Sequence, residues 1–184
     1  NLLWFLGAYW LYIDGVYTII KMAVDYGLSQ GLSATDVTGA ILLTNFLGFP
    51  AAIAFGALGT RVGPRRAIYL ALVVYIVATA LAVFLTTASQ FYGLAATIGL
   101  VQGGVQSLSR SLYARLIPPE MSGEYFGFFN MLGKFSSILG PVLAGTVALV
   151  SGSQRVGILS IILLFGSGLV LLTRVRVPAA RAGS

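Results

Sequence analysis

Residues 56–66, GALGTRVGPRR, interrupt the hydrophobic character of the chain with a compact basic segment. Glycine and proline stand together at positions 63–64, a pair that is typical of a turn. The apolar stretches on either side, about residues 37–59 and 67–86, are each long enough to cross a hydrocarbon core of about 30 Å as a helix. The sequence therefore predicts a short polar loop that joins two transmembrane helices.

The composition of the whole chain indicates the same class of protein. Of its 184 residues, 58% are hydrophobic and only 9% are charged, and the mean hydropathy is +0.93. A soluble domain typically carries about 25% charged residues. The chain has no histidine and no cysteine, which excludes disulfides, thiolate metal sites and a Ser–His dyad within it. We expect an integral membrane protein that is not an enzyme and needs no cofactor.

Six stretches have the length and apolarity of a transmembrane helix, and turn-forming residues separate them. The predicted fold class is an all-α membrane protein in which residues 1–184 form one six-helix bundle. The predicted helices cover about residues 2–27, 37–59, 67–86, 91–113, 125–150 and 157–173.

The arginines lie almost entirely at one end of the predicted bundle. The second and fourth connections and the C-terminal tail hold most of them, whereas the opposite end has only Arg155. Because cytoplasmic loops are enriched in Lys and Arg, this end and both termini are predicted to be cytoplasmic. The same bias explains the net charge of +6 without any nucleic-acid partner. The arginines counted at this end are Arg61, Arg65, Arg66, Arg110, Arg115, Arg174, Arg176 and Arg181.

The six predicted helices differ in polarity. The third and the sixth lack charged and amide side chains, so we expect them to face lipid on most sides. The first, second, fourth and fifth carry polar residues that need water or a neighbouring helix. Since every third helix is peripheral, the pattern predicts two three-helix inverted repeats.

The segment 56–66 resembles the loop motif of the major facilitator superfamily, which joins the second and third helices of each six-helix half. The matching residues are Gly56, Arg61, Gly63, Arg65 and Arg66. The resemblance implies a gating role for this loop, in which charge contacts stabilise one access state of a transporter. Thr60 departs from the pattern, because the family usually has an aspartate there.

Residues 103–141 are similar to one branch of that superfamily, the vacuolar effluxer linked to autophagy and its bacterial relatives. The similarity implies the C-terminal half of a secondary transporter that works by alternating access in a bacterial inner membrane. It also implies a partner, either an N-terminal six-helix half or a second copy of this chain. The fungal members are associated with amino-acid efflux, so an amino acid is the expected solute. The residues that carry the similarity are Gln106, Ser107, Leu108, Ser109, Arg110, Pro118, Glu120, Phe126, Gly127, Gly133, Lys134, Gly140 and Pro141.

Four polar side chains on two helices are predicted to lie at depth in the membrane. Asp14 and Lys21 share a face of the first helix, and Asn130 and Lys134 share a face of the fifth. Asp14 and Lys134 have similar predicted depths, and a paired charge is far cheaper to bury than a lone one. We therefore expect these two side chains to meet across the bundle.

The fourth helix adds Gln102 and Gln106, whose amides can both donate and accept hydrogen bonds. All six polar residues are expected to border one watery cleft that binds a small polar or zwitterionic solute, with Asp14 also exchanging a proton. The alternative is structural: Asp14 and Lys134 form a permanent ion pair, and the two amides only bond neighbouring helices.

Small residues and one proline predict where helices bend or approach closely. Gly140 and Pro141 predict a kink in the fifth helix, and Gly99 with Gly103 forms a GxxxG pattern on the fourth. Two other functions stay open, a channel or pore subunit and a non-transporting membrane scaffold. The connections contain no filter loop, and the charges at depth favour transport over both.

Overall fold

The computed structural model describes residues 1–176, so the end of the C-terminal tail, with Arg181, lies outside the described residues. The described part is helical and contains no strand. A short 3₁₀ turn, Pro119–Met121, precedes α5. The helices are α1 (Leu2–Ser29), α2 (Ala34–Val62), α3 (Pro64–Ala82), α4 (Ala88–Leu116), α5 (Ser122–Phe135), α6 (Leu139–Ser151), α7 (Gln154–Ser160) and α8 (Ile162–Thr173).

The predicted all-α membrane architecture is confirmed. Within the described residues, five helical stretches are long and apolar enough to cross a membrane. They are Leu2–Ser29, Ala34–Val62, Pro64–Ala82, Pro119–Ser151 and Gln154–Thr173. The 29-residue α4 has the length but is less apolar, because it carries three glutamines, two arginines and several glycines and serines.

The fifth and sixth predicted spans each consist of two helices. α7 and α8 meet at Ile161, whose φ of −64° and ψ of −25° are helical, so the direction of the chain continues. The separation of α5 from α6 is a real interruption, since residues 136–138 leave the helical hydrogen-bond ladder. Pro141 stands in the first turn of α6, where its missing N–H has no intrahelical partner to lose. The chain thus restarts a helix where the sequence predicts a kink.

Local signals explain the main helix ends. Ser33 caps α2 by accepting a hydrogen bond from the backbone N–H of Asp36 at 3.1 Å. Thr87 and Gln90 form a capping box at the start of α4. Gly63 joins α2 to α3 with a φ of +88°, a conformation that glycine adopts without strain. The predicted loop motif is therefore a tight turn.

Glycines allow α2 and α4 to pack with their backbones nearly in contact. A Cβ atom added at Gly99 would lie 2.7 Å from the carbonyl oxygen of Thr44, and one at Gly103 would overlap the carbonyl oxygen of Gly48. The hydroxyl of Thr44 also donates a hydrogen bond of 3.0 Å to the carbonyl of Ala95. The GxxxG pattern therefore marks a helix contact.

The first helix of each predicted repeat packs against the third helix of the other. α1 lies along α8, and α4 lies along α3. This reciprocal exchange is the arrangement that two symmetry-related three-helix units give. It places α1 at the centre of the bundle, where its buried face contributes Phe5, Tyr9, Tyr12 and Ile13 to the core.

Candidate functional site: a polar cleft beside an interrupted helix

A polar cleft of about 510 Å³ opens between α1, α4 and α5. Its walls carry amine, guanidinium, amide and hydroxyl groups. The lining residues are Tyr9, Tyr17, Lys21, Arg110, Asn130, Gly133, Lys134 and Ser137.

Helical spacing brings these groups to one place. On α1, Tyr17 and Lys21 are four residues apart and lie on one face. On α5, Asn130, Gly133 and Lys134 follow the same i, i+3, i+4 rule. These three residues of α5 thus turn towards the cleft together.

An aromatic contact forms one wall of the cleft. Tyr9 is buried, and its ring stacks on Phe129 with a centroid separation of 4.2 Å. Gly133 leaves room for it, because a Cβ atom at that position would lie 3.0 Å from the Tyr9 hydroxyl oxygen. The packing of α1 against α5 therefore fixes one side of the cleft.

The interrupted segment between α5 and α6 forms the end of the cleft. The Lys21 ammonium donates a hydrogen bond of 2.9 Å to the hydroxyl of Ser137, which lies within the interruption. Lys134 occupies the last turn of α5, and its side chain is exposed to the cleft. A solute in this cleft would therefore contact the irregular backbone directly.

The electrostatics of the cleft are one-sided. Lys21, Arg110 and Lys134 line it, and no acidic side chain of the described residues does. The cleft is consequently a region of positive potential inside the bundle.

Asp14 does not lie in this cleft. Its side chain is fully buried, and it accepts hydrogen bonds from the backbone N–H groups of Leu139 at 3.0 Å and Gly140 at 2.9 Å. Thr18 donates a further, longer hydrogen bond of 3.3 Å to the same carboxylate. Asp14 on α1 therefore caps the N-terminus of α6, where orphan N–H groups and the helix dipole both favour a negative charge.

The predicted Asp14–Lys134 pair is wrong. The Asp14 carboxylate is occupied by α6, and no lysine of the described residues donates a hydrogen bond to it. Depth along a helix gives only the level of a side chain, whereas pairing also depends on the direction in which the side chain points. Asp14 points at the interruption, and Lys134 points into the open cleft.

Gly140 is required by the Asp14 cap. A Cβ atom added at Gly140 would overlap the Thr18 hydroxyl and would lie 2.8 Å from the Asp14 carboxylate. The glycine therefore lets the start of α6 approach α1 closely enough for its N–H groups to reach the carboxylate.

The two predicted site residues of α4, Gln102 and Gln106, also lie outside the polar cleft. Gln102 lines a small apolar cavity of about 90 Å³ with Thr44, Asn45 and aliphatic residues of α1 to α4. Its side-chain oxygen is buried without a hydrogen-bond partner among the described residues. Gln106 is half-buried and lines neither cavity. The structure thus brings Lys21, Asn130 and Lys134 together in one cleft and places Asp14, Gln102 and Gln106 outside it.

Five residues of the cleft are not among the predicted site residues: Tyr9, Tyr17, Arg110, Gly133 and Ser137. Arg110 is counted in the sequence with the cytoplasmic arginines, although it lies two turns inside the end of α4. The sequence contains a signal for Tyr17, which precedes Lys21 by four residues and therefore shares a face of α1 with it. Tyr9 had none, because only the packing of α1 on Phe129 brings its ring to the cleft.

The loop motif forms a second, separate cluster of positive charge. Arg65 and Arg66 line a surface cleft with Arg115 and Arg176, and the Arg65 guanidinium donates to the carbonyl of Val175. Arg61 is exposed and does not line this cleft, and Gly56 has open space where a Cβ would lie.

At the position where the superfamily usually has aspartate, Thr60 donates its hydroxyl to the carbonyl of Ala57 at 2.7 Å. Its side chain thus bonds its own helix and makes no hydrogen bond to the described arginines of the loop. The gating role of the motif stays a prediction.

The fold and the cleft define a class, a polytopic helical membrane protein with a charged cavity at the junction of a discontinuous helix. Within this class the chain belongs to the vacuole effluxer Atg22-like family, whose profile matches residues 1–183. The predicted branch of the major facilitator superfamily is thereby confirmed.

Individual relatives agree with the family. The chain is 38% identical over 168 residues to an uncharacterized MFS-type transporter, YxiO, of Bacillus subtilis strain 168, covering 91% of this chain and 39% of that protein. It is 30% identical over 202 residues to autophagy-related protein 22 of Cryptococcus neoformans var. neoformans serotype D, covering 98% of this chain and 36% of that protein. The chain thus spans well under half the length of these curated relatives.

Proposed function

We propose that this chain is the C-terminal six-helix half of a secondary active transporter that moves a small polar organic solute by alternating access. The observation that carries the proposal is the polar cleft that ends on the interrupted α5–α6 span. Transporters of this type bind solutes near the bilayer midplane, often at discontinuous helices. The relatives named as transporters support the same function.

The transport path requires a second bundle facing this one. α2 supports this, because only four of its 29 residues are buried and large apolar side chains project from it. An N-terminal half of the same protein is the simpler partner, and a second copy of this chain is the alternative. The exposed side chains include Leu42, Phe46, Phe49 and Ile53.

The discontinuous span supplies a hinge between access states. Residues 136–138 have few helical hydrogen bonds to break, so α6 can tilt relative to α5 at low cost. The Asp14 carboxylate holds the start of α6 against α1 in the conformation described here. Release of this contact would free α6 to move.

Asp14 is also the candidate for proton coupling. A protonated carboxyl keeps acceptor capacity but loses the charge that favours the N-terminus of α6. Protonation would weaken the cap, and deprotonation would restore it. A proton would in this way bias the equilibrium between the two positions of α6.

The cleft suits a solute that carries carboxylate groups, an amino acid or an organic acid, since amine and guanidinium donors line it. The arginine-rich ends of the helices support a cytoplasmic location for both termini, because cytoplasmic ends of membrane helices are enriched in Lys and Arg. A bacterial inner membrane is the proposed location.

Transport by the full-length protein in proteoliposomes tests the proposal. A panel of radiolabelled amino acids and organic acids should reveal saturable uptake that a pH gradient increases, and Asp14→Asn should retain exchange while losing gradient-driven accumulation. The matched control is Asp25→Asn, which removes a carboxylate from an exposed position of the same helix.

The alternatives give different results in the same assay. A flux that does not saturate with solute concentration, and that solute on the opposite side of the membrane does not change, would indicate a channel. Failure of every solute to cross, with intact folded protein in the vesicles, would indicate a scaffold and would contradict the proposal.

A further inference from the structure

The chain contains only two lysines, Lys21 and Lys134, and both line the polar cleft. All other basic residues are arginines, and one of them, Arg110, lines the same cleft. Three exposed cations thus line one open cleft of a membrane bundle.

No acidic side chain of the described residues lines the cleft beside these cations, although the buried Asp14 carboxylate lies close enough to attract Lys21. The chain has five acidic residues. Asp14 is held by the backbone of α6, and Asp36 accepts a hydrogen bond from Ser33. Asp25 is exposed one turn beyond Lys21, while Glu120 and Glu124 lie at the start of the fifth span.

The remaining polar groups of the cleft are mainly hydrogen-bond donors towards an anion. Asn130 presents an amide, and Tyr9 and Tyr17 present hydroxyl groups. Intramembrane cations are normally retained only where they meet an opposite charge or serve a solute pathway. Charge, donor type and location therefore all favour an anionic occupant.

We propose that the cleft binds an organic anion with at least two negative charges, a dicarboxylate or a phosphomonoester, held by Lys21, Arg110 and Lys134. This inference rests on the proposed function and narrows its solute class. A solute with one carboxylate would leave two cations unmatched, and the ammonium group of a zwitterion would lie among three like charges. Arginine adds paired donors that match carboxylate and phosphate oxygens.

The cleft extends along the bundle. Tyr9 and Lys21 are twelve residues apart on α1, which separates their levels by about 18 Å along the helix. The three cations come from three different helices, α1, α4 and α5. An anion with charge at both ends can therefore bind cations of more than one helix.

Equilibrium binding to the purified full-length protein tests this inference without relying on transport. The probes are succinate and glycerol 3-phosphate, compared with succinamide, glycine and butane-1,4-diamine at equal ionic strength. The readout is the concentration dependence of the thermal unfolding midpoint. At least one doubly charged anion should raise the midpoint saturably, and the neutral, zwitterionic and cationic probes should not.

Variants of the cleft sharpen the test. Lys21→Gln and Lys134→Gln should each raise the Kd for the anion about tenfold or more, whereas Lys134→Arg should stay within about threefold of the original Kd. Arg174→Gln is the matched control, since it removes one positive charge from an exposed site outside the cleft. It should leave the Kd unchanged.

A measurement on the unaltered protein tests the inference even if the variants fail to fold. Trinitrobenzenesulfonate modifies exposed lysines, so a bound anion should slow its reaction with Lys21 and Lys134, as followed by mass spectrometry of their peptides. Protection by succinate or glycerol 3-phosphate, and none by succinamide, is the expected result.

Several outcomes would overturn the inference. They are binding of glycine or butane-1,4-diamine in preference to both anions, equal binding of succinamide, or no anion effect on either readout. The first would mean that another part of the protein supplies the counter-charge. Saturable transport of a neutral or cationic solute alone would support the proposed transport function and contradict the anion site. Anion binding without any transport would support the anion site and contradict the transport function.

Discussion

At the scale of single residues, Asp14 answers why a carboxylate lies within a membrane helix. Its oxygens accept hydrogen bonds from Leu139 and Gly140, which begin α6 after the interruption. These two N–H groups have no intrahelical partner, and Pro141 has no N–H at all. One side chain on α1 therefore completes the start of a distant helix.

Replacement of Asp14 should destabilise the protein through this cap. Asp14→Asn leaves one strong acceptor for two buried N–H groups, so we expect a loss of about 1–3 kcal/mol, and Asp14→Ala should lose more. The midpoint of thermal unfolding of the full-length protein in detergent measures the change. Asp25→Asn, at an exposed position of α1, should have little effect.

A double-mutant cycle separates the cap from the ion pair that the sequence suggested. Because the two side chains do not meet, Asp14→Asn and Lys134→Gln should destabilise additively. A double variant that is more stable than either single variant would contradict the Asp14 cap and would support the Asp14–Lys134 ion pair.

At the scale of helices, the approach of α4 to α2 depends on the absence of side chains. Gly103 and Gly99 face the carbonyl oxygens of Gly48 and Thr44. Between helices in lipid, association depends on van der Waals contact and polar contacts, since lipid chains are as apolar as the helices. Close backbone packing is therefore the main attraction between these two elements.

Two glycines of α4 should respond in opposite directions to the same substitution. Gly103→Ala pushes a methyl group into the backbone of α2, and we expect it to cost about 1–3 kcal/mol of stability. Gly93→Ala meets open space and should be neutral or should stabilise by up to about 1 kcal/mol through helix propensity. Thermal unfolding of the two variants side by side gives the comparison. Equal effects would show that the α2–α4 contact is looser than described.

At the scale of the whole molecule, the arginines and the helix order specify an orientation. Arginines flank the connections after α2 and α4, and none flanks the connections after α1 and α3. The positive-inside bias then directs the first pair of connections to the cytoplasm.

Cysteine labelling in cells tests this orientation, because the chain has no cysteine of its own. Exposed positions serve as sites: Thr35→Cys and Gln154→Cys should react with a membrane-impermeant maleimide in intact cells, and Thr60→Cys and Glu120→Cys only after permeabilisation. Reaction of Thr60→Cys in intact cells would show that the orientation is the reverse of the one expected here. Full labelling of all four after permeabilisation is the control.

The sequence predicts some residues of the candidate site and misses or misplaces others. Lys21, Asn130 and Lys134 were found because helical spacing shows which side chains share a face. Asp14 and Gln102 were placed in the wrong cavity because spacing gives no direction relative to a distant helix. Tyr9 and Arg110 were missed because contacts between helices bring them to the cleft.

The sequence alone determined the membrane class, the approximate spans and the family, because hydrophobic length, turn residues and local motifs are properties of short segments. The tertiary structure alone decided where α5 ends and α6 begins, which partner Asp14 has, and that three cations line one cleft. The reason is geometric. Those features depend on the rotation of one helix relative to another, which residues far apart in the chain fix together through packing.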